Sequence, residues 1–222
     1  MKNYRPFFII AIVLLVSLIG GVLLLKSGRG GDSFTPAAPT PSTTPEHAGK
    51  PPAENIVTLE EFGDYQCPPC GALHPTLKKL KSELGPNLNF IFRNLPLTDL
   101  HKNALVAAQA AEAARVQNHF WEMHDLLYEN QKLWSEDVNP KATFLKFARD
   151  LGLDAARFER DLASEEVKMR IETDQAAAAS LGIDGTPTIL INGRRLRVEA
   201  TTPEGIRKGV DLMMARKPAA TP

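Results

Sequence analysis

Cysteine is nearly absent: only two occur in 222 residues, Cys67 and Cys70, three positions apart. With so few, disulfide stapling cannot carry the fold. A bridge between them closes a four-residue loop worth about 2 kcal/mol, against ~3 for fifteen residues. Net charge is also absent, 26 basic against 26 acidic residues. No basic field argues for nucleic acid as a partner, and no acidic field for cationic ones. No internal repeat is visible, and no cysteine lies near the N-terminus to carry a lipoprotein anchor. A structural zinc centre needs four ligands. The histidines, His47, His74, His101, His119 and His124, form no second paired-ligand motif, so no metal site is expected.

Long apolar runs are confined to one place. Phe7 to Leu25, "FFIIAIVLLVSLIGGVLLL", carries no charge. As a helix it spans roughly 28 Å, close to the ~30 Å hydrocarbon thickness. Residues 1–26 are therefore read as a single N-terminal transmembrane helix, a retained signal anchor. The alternative is a cleaved signal peptide, against which the length of the run and the following "KSGRGG" both argue. Lys2 and Arg5 before the run only weakly favour a cytoplasmic N-terminus over Lys26 and Arg29 after it. On that orientation the rest of the chain lies outside the cytoplasm. Residues 27–53 are rich in Pro, Gly, Ser, Thr and Ala and read as a spacer reaching up to about 80 Å.

A folded domain is expected over 54–222. "NIVTLEEF" reads as a strand, and a helix follows the cysteines with Leu73, Leu77, Leu80 and Leu84 on one face. Gly85-Pro86 ends it, and "NLNFIFRNLPL" reads as a second strand. From about 98 to 181 the pattern is helical, with Asn118 a candidate N-cap. Phe120, Trp121, Met123 and Trp134 in this block read as packing residues. "TPTILI", the Asn192-Gly193 turn and "RRLRV" read as a hairpin with a type I′ turn. A last helix starts with Thr202 as N-cap and Pro203 at N1. The fold class is α/β, in the order β-α-β, helical block, β-β-α.

The cysteines sit where a strand hands over to a helix. Unpaired N–H groups and the positive end of the helix dipole stabilise thiolate there, the reactive form of the side chain. A second cysteine one turn on is placed to attack a mixed disulfide made by the first. Cys67 is thus the nucleophile and Cys70 the resolving thiol of a redox pair. Pro68 and Pro69 offer no ligand atom and stiffen the first turn.

Strand, "CPPC", helix, helical insertion and "GTPT" before a hairpin together resemble the DsbA-like branch of the thioredoxin superfamily, over roughly residues 54–216. The resemblance implies a thioredoxin-like fold with a helical insertion. It also implies that Glu61, six residues before Cys67, is a buried acid moving the proton of Cys70. On the residues alone Glu61 also reads as a solvated strand residue, with Glu60 on the opposite face. Pro75 matches a helix-kinking proline, "FRNLPL" the second strand and its exit, and "GTP" the loop whose cis-proline, here Pro187, faces the cysteines. Thr186 would then pair with an extended substrate.

DsbA itself has CPHC, and this chain departs at Pro69. The change removes a histidine and a backbone N–H, leaving Cys70 and Gly71 as early donors. The Cys67 thiolate should be less stabilised than in a CPHC enzyme, and the pair a milder oxidant. Pro69 also disfavours helical backbone at Pro68, so the helix is expected to start one residue late. The function implied is extracytoplasmic disulfide formation in exported proteins, with no cofactor, re-oxidised by a quinone-linked membrane partner. The alternatives are a reductase fed by a membrane electron donor and a metal-delivery or binding module. Tethered copper-delivery proteins of the superfamily carry CxxxC, not CxxC. The dimeric isomerase branch ranks lower, since no dimerisation domain is visible.

Overall fold

The structure is a computed structural model that describes residues 56–215 and the short strand Phe34–Thr35. The expected anchor, and the linker apart from that strand, lie outside the described residues. Among the described residues no helix is long and apolar enough to cross a membrane.

Five strands form one mixed sheet in the order β1-β5-β4-β2-β3. They are β1 (Phe34–Thr35), β2 (Val57–Gly63), β3 (Leu88–Asn94), β4 (Thr188–Ile191) and β5 (Arg194–Leu196). The central strand β2 runs parallel to β3 and antiparallel to β4, with Glu61 opposite Phe92 and Ile189. Between β2 and β3 lies α1 (Pro68–Leu84). Between β3 and β4 come α2 (Ala104–Arg115), α3 (Phe120–Glu129), α4 (Gln131–Trp134), α5 (Lys141–Asp150), α6 (Ala155–Asp161) and α7 (Glu165–Ser180). The chain closes with α8 (Pro203–Ala215). This is a thioredoxin-like α/β fold with a helical insertion.

Side chains alternate across a strand, and both faces of β2 are covered. Leu59 packs with Leu73, Leu77 and Leu80 of α1 and with Ile206 and Val210 of α8. Phe62 points the other way, packing with Leu190, Ile183 and Ala178 of α7. A third cluster joins Cys67, Cys70 and Tyr65 to the insertion through Phe120, Met123, Leu127 and Trp134.

Several local expectations are met. Asn192 and Gly193 both take positive φ, +50° and +73°, in the hairpin turn. Gly205 N–H donates to Thr202 Oγ1 at 3.1 Å, capping α8. Others are corrected. Helix α1 starts at Pro68, not one residue later: Cys67 is its extended N-cap and the prolines fill the first two positions. N–H groups there have no intrahelical acceptor, and a φ fixed near −65° suits the first turn. Asn118 does not cap α3; it lies at φ +63°, and the N-cap is His119. Within the segment read as a spacer, Phe34 and Thr35 pair with Leu196 and Arg195 at the open edge of β5.

Candidate active site

Between β2 and α1 the chain turns through Asp64, Tyr65 and Gln66, all buried. The Asp64 carboxylate accepts from Gln66 N at 2.8 Å and Leu97 N at 3.0 Å, and its other contact is His101 Nδ1 at 2.7 Å. Its carbonyl accepts from Cys67 N at 3.1 Å. Gln66 is gripped from both ends: Nε2 donates to Ser135 O, and Oε1 accepts from Asn103 N. From α4, Gln131 Nε2 donates to the carbonyls of Tyr65 (2.7 Å) and Cys67 (3.0 Å). A Cβ at Gly71 would stand 2.7 Å from Gln131 Oε1, so a side chain there would push the Gln131 amide from its present position. The insertion thereby fixes the loop that presents the cysteines.

Both cysteines are free thiols, Cys67 4% exposed and Cys70 fully buried. Their acidities diverge. A hydrogen bond from Cys70 leads in lowering Cys67 to about 6; the Thr186 side chain and the Cys70 N–H assist, against burial and the Asp64 charge. Burial pushes the Cys70 thiol well above its ordinary value, with the bond to Cys67 and the Glu61 charge adding to it. Of the two early donors expected, Cys70 serves the thiolate, while Gly71 N–H is spent on the Cys67 carbonyl at 3.1 Å. Pro68 and Pro69 are exposed at the surface of this turn.

Behind the pair, Glu61 is 1% exposed and its Oε1 has no hydrogen-bond partner. Burial, and next the charge of Cys67, raise its carboxyl to about 8. A neutral acid is therefore available beside a buried thiol at neutral pH. Tyr128 lies in the same region, its hydroxyl also unpartnered and raised by burial and then by Cys70 and Glu61. In front, the Thr186–Pro187 peptide is cis, and Cys67 Sγ stands 3.5 Å from the Thr186 carbonyl oxygen. Thr186 Oγ1 is buried and makes no hydrogen bond, so its influence on Cys67 is that of a nearby dipole.

Cys67, Cys70, Glu61 and the Thr186–Pro187 loop thus converge from three elements. Glu60, the expected outward neighbour of Glu61, is buried too, because α7 covers that face. It pairs with Arg93, whose Nη1 reaches Asp174 Oδ1 at 3.2 Å. Sequence reasoning missed Asp64, Gln66, Asn103, Tyr128 and Gln131. Asp64 and Gln66 lie inside the cysteine stretch, where two buried polar residues between a strand and a helix were a usable signal. Gln131 and Tyr128 reach the site only through packing of the insertion.

An acidic thiol in front, a poorly acidic one behind it and a helical insertion holding both make a thioredoxin-type dithiol site. The chain belongs to the thioredoxin family, whose model matches residues 42–211. Its fold is similar to that of the thiol-disulfide exchange protein alpha-DsbA2 from Wolbachia pipientis. The TM-score is 0.61 at 23% identity, over 72% of this chain and 84% of that one. A thioredoxin-like oxidoreductase from Silicibacter pomeroyi aligns at TM-score 0.59 and 27% identity, covering 82% and 92% of the two chains. Over 144 residues the chain is 44% identical to a protein named Na(+)/H(+) antiporter NhaA 1 from Salinispora arenicola. That alignment covers 65% of this chain and 21% of the relative, so the chain spans about one fifth of the curated relatives it matches.

Proposed function

We propose that this protein forms disulfides in exported proteins, outside the cytoplasm, while held to the membrane by its N-terminal apolar run. The observation that carries the reading is the split between the two thiols, Cys67 lowered to about 6 and Cys70 raised well above its ordinary value. Stabilising the Cys67 thiolate stabilises the reduced pair, and that makes the disulfide a better oxidant. In the oxidised protein, a substrate thiolate attacks Cys67 Sγ and expels Cys70 as thiolate, which takes the proton of Glu61. A second substrate thiolate then attacks the substrate sulfur of the mixed disulfide, and Cys67 leaves as a stabilised thiolate. The substrate is oxidised by two electrons and the pair reduced by two. Re-oxidation falls to a quinone-linked membrane partner.

The Thr186 backbone beside Cys67 suits an extended polypeptide. Thr186 offers backbone for strand-like pairing. Placement at a membrane is supported by the apolar N-terminal run and by relatives named for an ion antiporter.

Equilibration of the pair with glutathione tests the direction of electron flow. A potential more oxidising than about −230 mV is expected, between those of glutaredoxin and DsbA. A value near −270 mV, the thioredoxin range, would turn the reading to a reductase.

A further inference from the structure

Away from the cysteines, His74 on α1 faces His124 and Asp125 on α3. One ligand atom of each lies within 4.8 Å of the others, the one such cluster among the described residues. His74 Nε2 is buried and has no hydrogen-bond partner, while Asp125 Oδ1 stands 3.5 Å away and Glu129 Oε1 3.9 Å. Packing alone leaves that nitrogen unexplained, since an unmade buried bond costs about 1–3 kcal/mol. His124 Nδ1 meets Tyr65 Oη at 3.1 Å, a contact that orients the ring.

We propose that His74, His124 and Asp125 bind a zinc-type divalent cation, with Glu129 within reach as a fourth ligand. This departs from the expectation of no metal, which considered only ligand sets built around Cys67 and Cys70. Nitrogen and carboxylate donors without thiolate suit zinc and its divalent neighbours. Around tetrahedral zinc, ligand atoms stand about 3.3 Å apart, given bonds of 2.0–2.1 Å. The ligand atoms must close by up to about 1.5 Å from their present limit of 4.8 Å, and the half-buried Asp125 has the most room to move. A surface depression lined by His74, Lys78 and Glu129 gives access. Lys78 now holds the position: its Nζ is 2.8 Å from Asp125 and 2.6 Å from Glu129. It is half exposed on a flexible stem, so the cation displaces it.

Calorimetric titration of zinc chloride into the oxidised protein tests this, because the Cys67–Cys70 disulfide withholds both thiolates. One zinc per chain is expected, with a rise in Tm as the ion ties α1 to α3. Binding should weaken at least tenfold in His74→Gln and in Asp125→Asn, the latter at a position exposed enough to keep the fold. Lys78→Gln removes the competing charge and should tighten binding several-fold. No stoichiometric binding in either the native chain or Lys78→Gln would overturn the proposal. So would binding that Asp125→Asn leaves unchanged.

Discussion

Cys67 and Thr186 are 119 residues apart in the chain, yet the Cys67 sulfur lies 3.5 Å from the Thr186 carbonyl oxygen. On the function proposed above, a peptide that pairs with the Thr186 backbone would be delivered to that sulfur. The same loop brings the Thr186 side chain to the thiolate, which helps to lower Cys67 to about 6.

That acidity is intermediate between thioredoxin, about 7, and DsbA, about 3.5. The second proline is expected to contribute to the gap, since position 69 offers neither a side-chain donor nor an N–H. Pro69→His restores both at an exposed site. The variant is expected to lower the Cys67 pKa below 6 and to make the pair more oxidising by about 30 mV or more, tenfold in the exchange equilibrium. Thiolate absorbance against pH and glutathione equilibration read the two quantities. An unchanged potential would show that Pro69 does not tune the pair.

Glu61 sets a pH dependence of stability. Unfolded, it loses its proton near 4.5; folded, near 8. Between these values the folded state holds the extra proton, so its contribution falls as pH rises, by up to ~1.4 kcal/mol per unit. Glu61→Gln stays neutral throughout. It should gain stability relative to the native chain progressively from about pH 5 to 8, while slowing exchange at Cys70. Denaturant unfolding of both proteins across that range checks this, and parallel stability curves would refute it.

Arg93, 3% exposed, stands between Glu60 and Asp174. Asp174 is already raised to about 6, burial being the main cause, although Asn94 N donates to it at 2.9 Å. Arg93→Met would leave two carboxylates buried without their cation, an expected loss of about 3–5 kcal/mol. Adding Glu60→Gln and Asp174→Asn removes those charges and should recover part of the loss. Urea midpoints of the single and triple variants measure both.

How legible the site was differs residue by residue. Cys67 and Cys70 declared themselves, because a dithiol at a helix start has few other uses. Glu61 was legible only through the family resemblance, because a strand with glutamates at 60 and 61 reads by itself as one face in and one face out. Both are buried, since α7 covers the face that an isolated βαβ unit would leave wet. The start of α1 was misjudged because pre-proline sterics were weighed above the tolerance of a first turn for missing N–H groups.

The sequence by itself determined the elements, the reactive pair and its rigid first turn, because those follow from local spacing, backbone chemistry and helix polarity. Only the tertiary structure decided how far apart the two acidities lie. That depends on burial, on the charge of Glu61 behind Cys70, and on a loop more than a hundred residues downstream meeting Cys67. It likewise decided that Gln131 clamps the Cys67 carbonyl and that His74 faces His124. Contacts between helices distant in sequence leave no periodicity to read, since each residue fits its own helix equally well without the other.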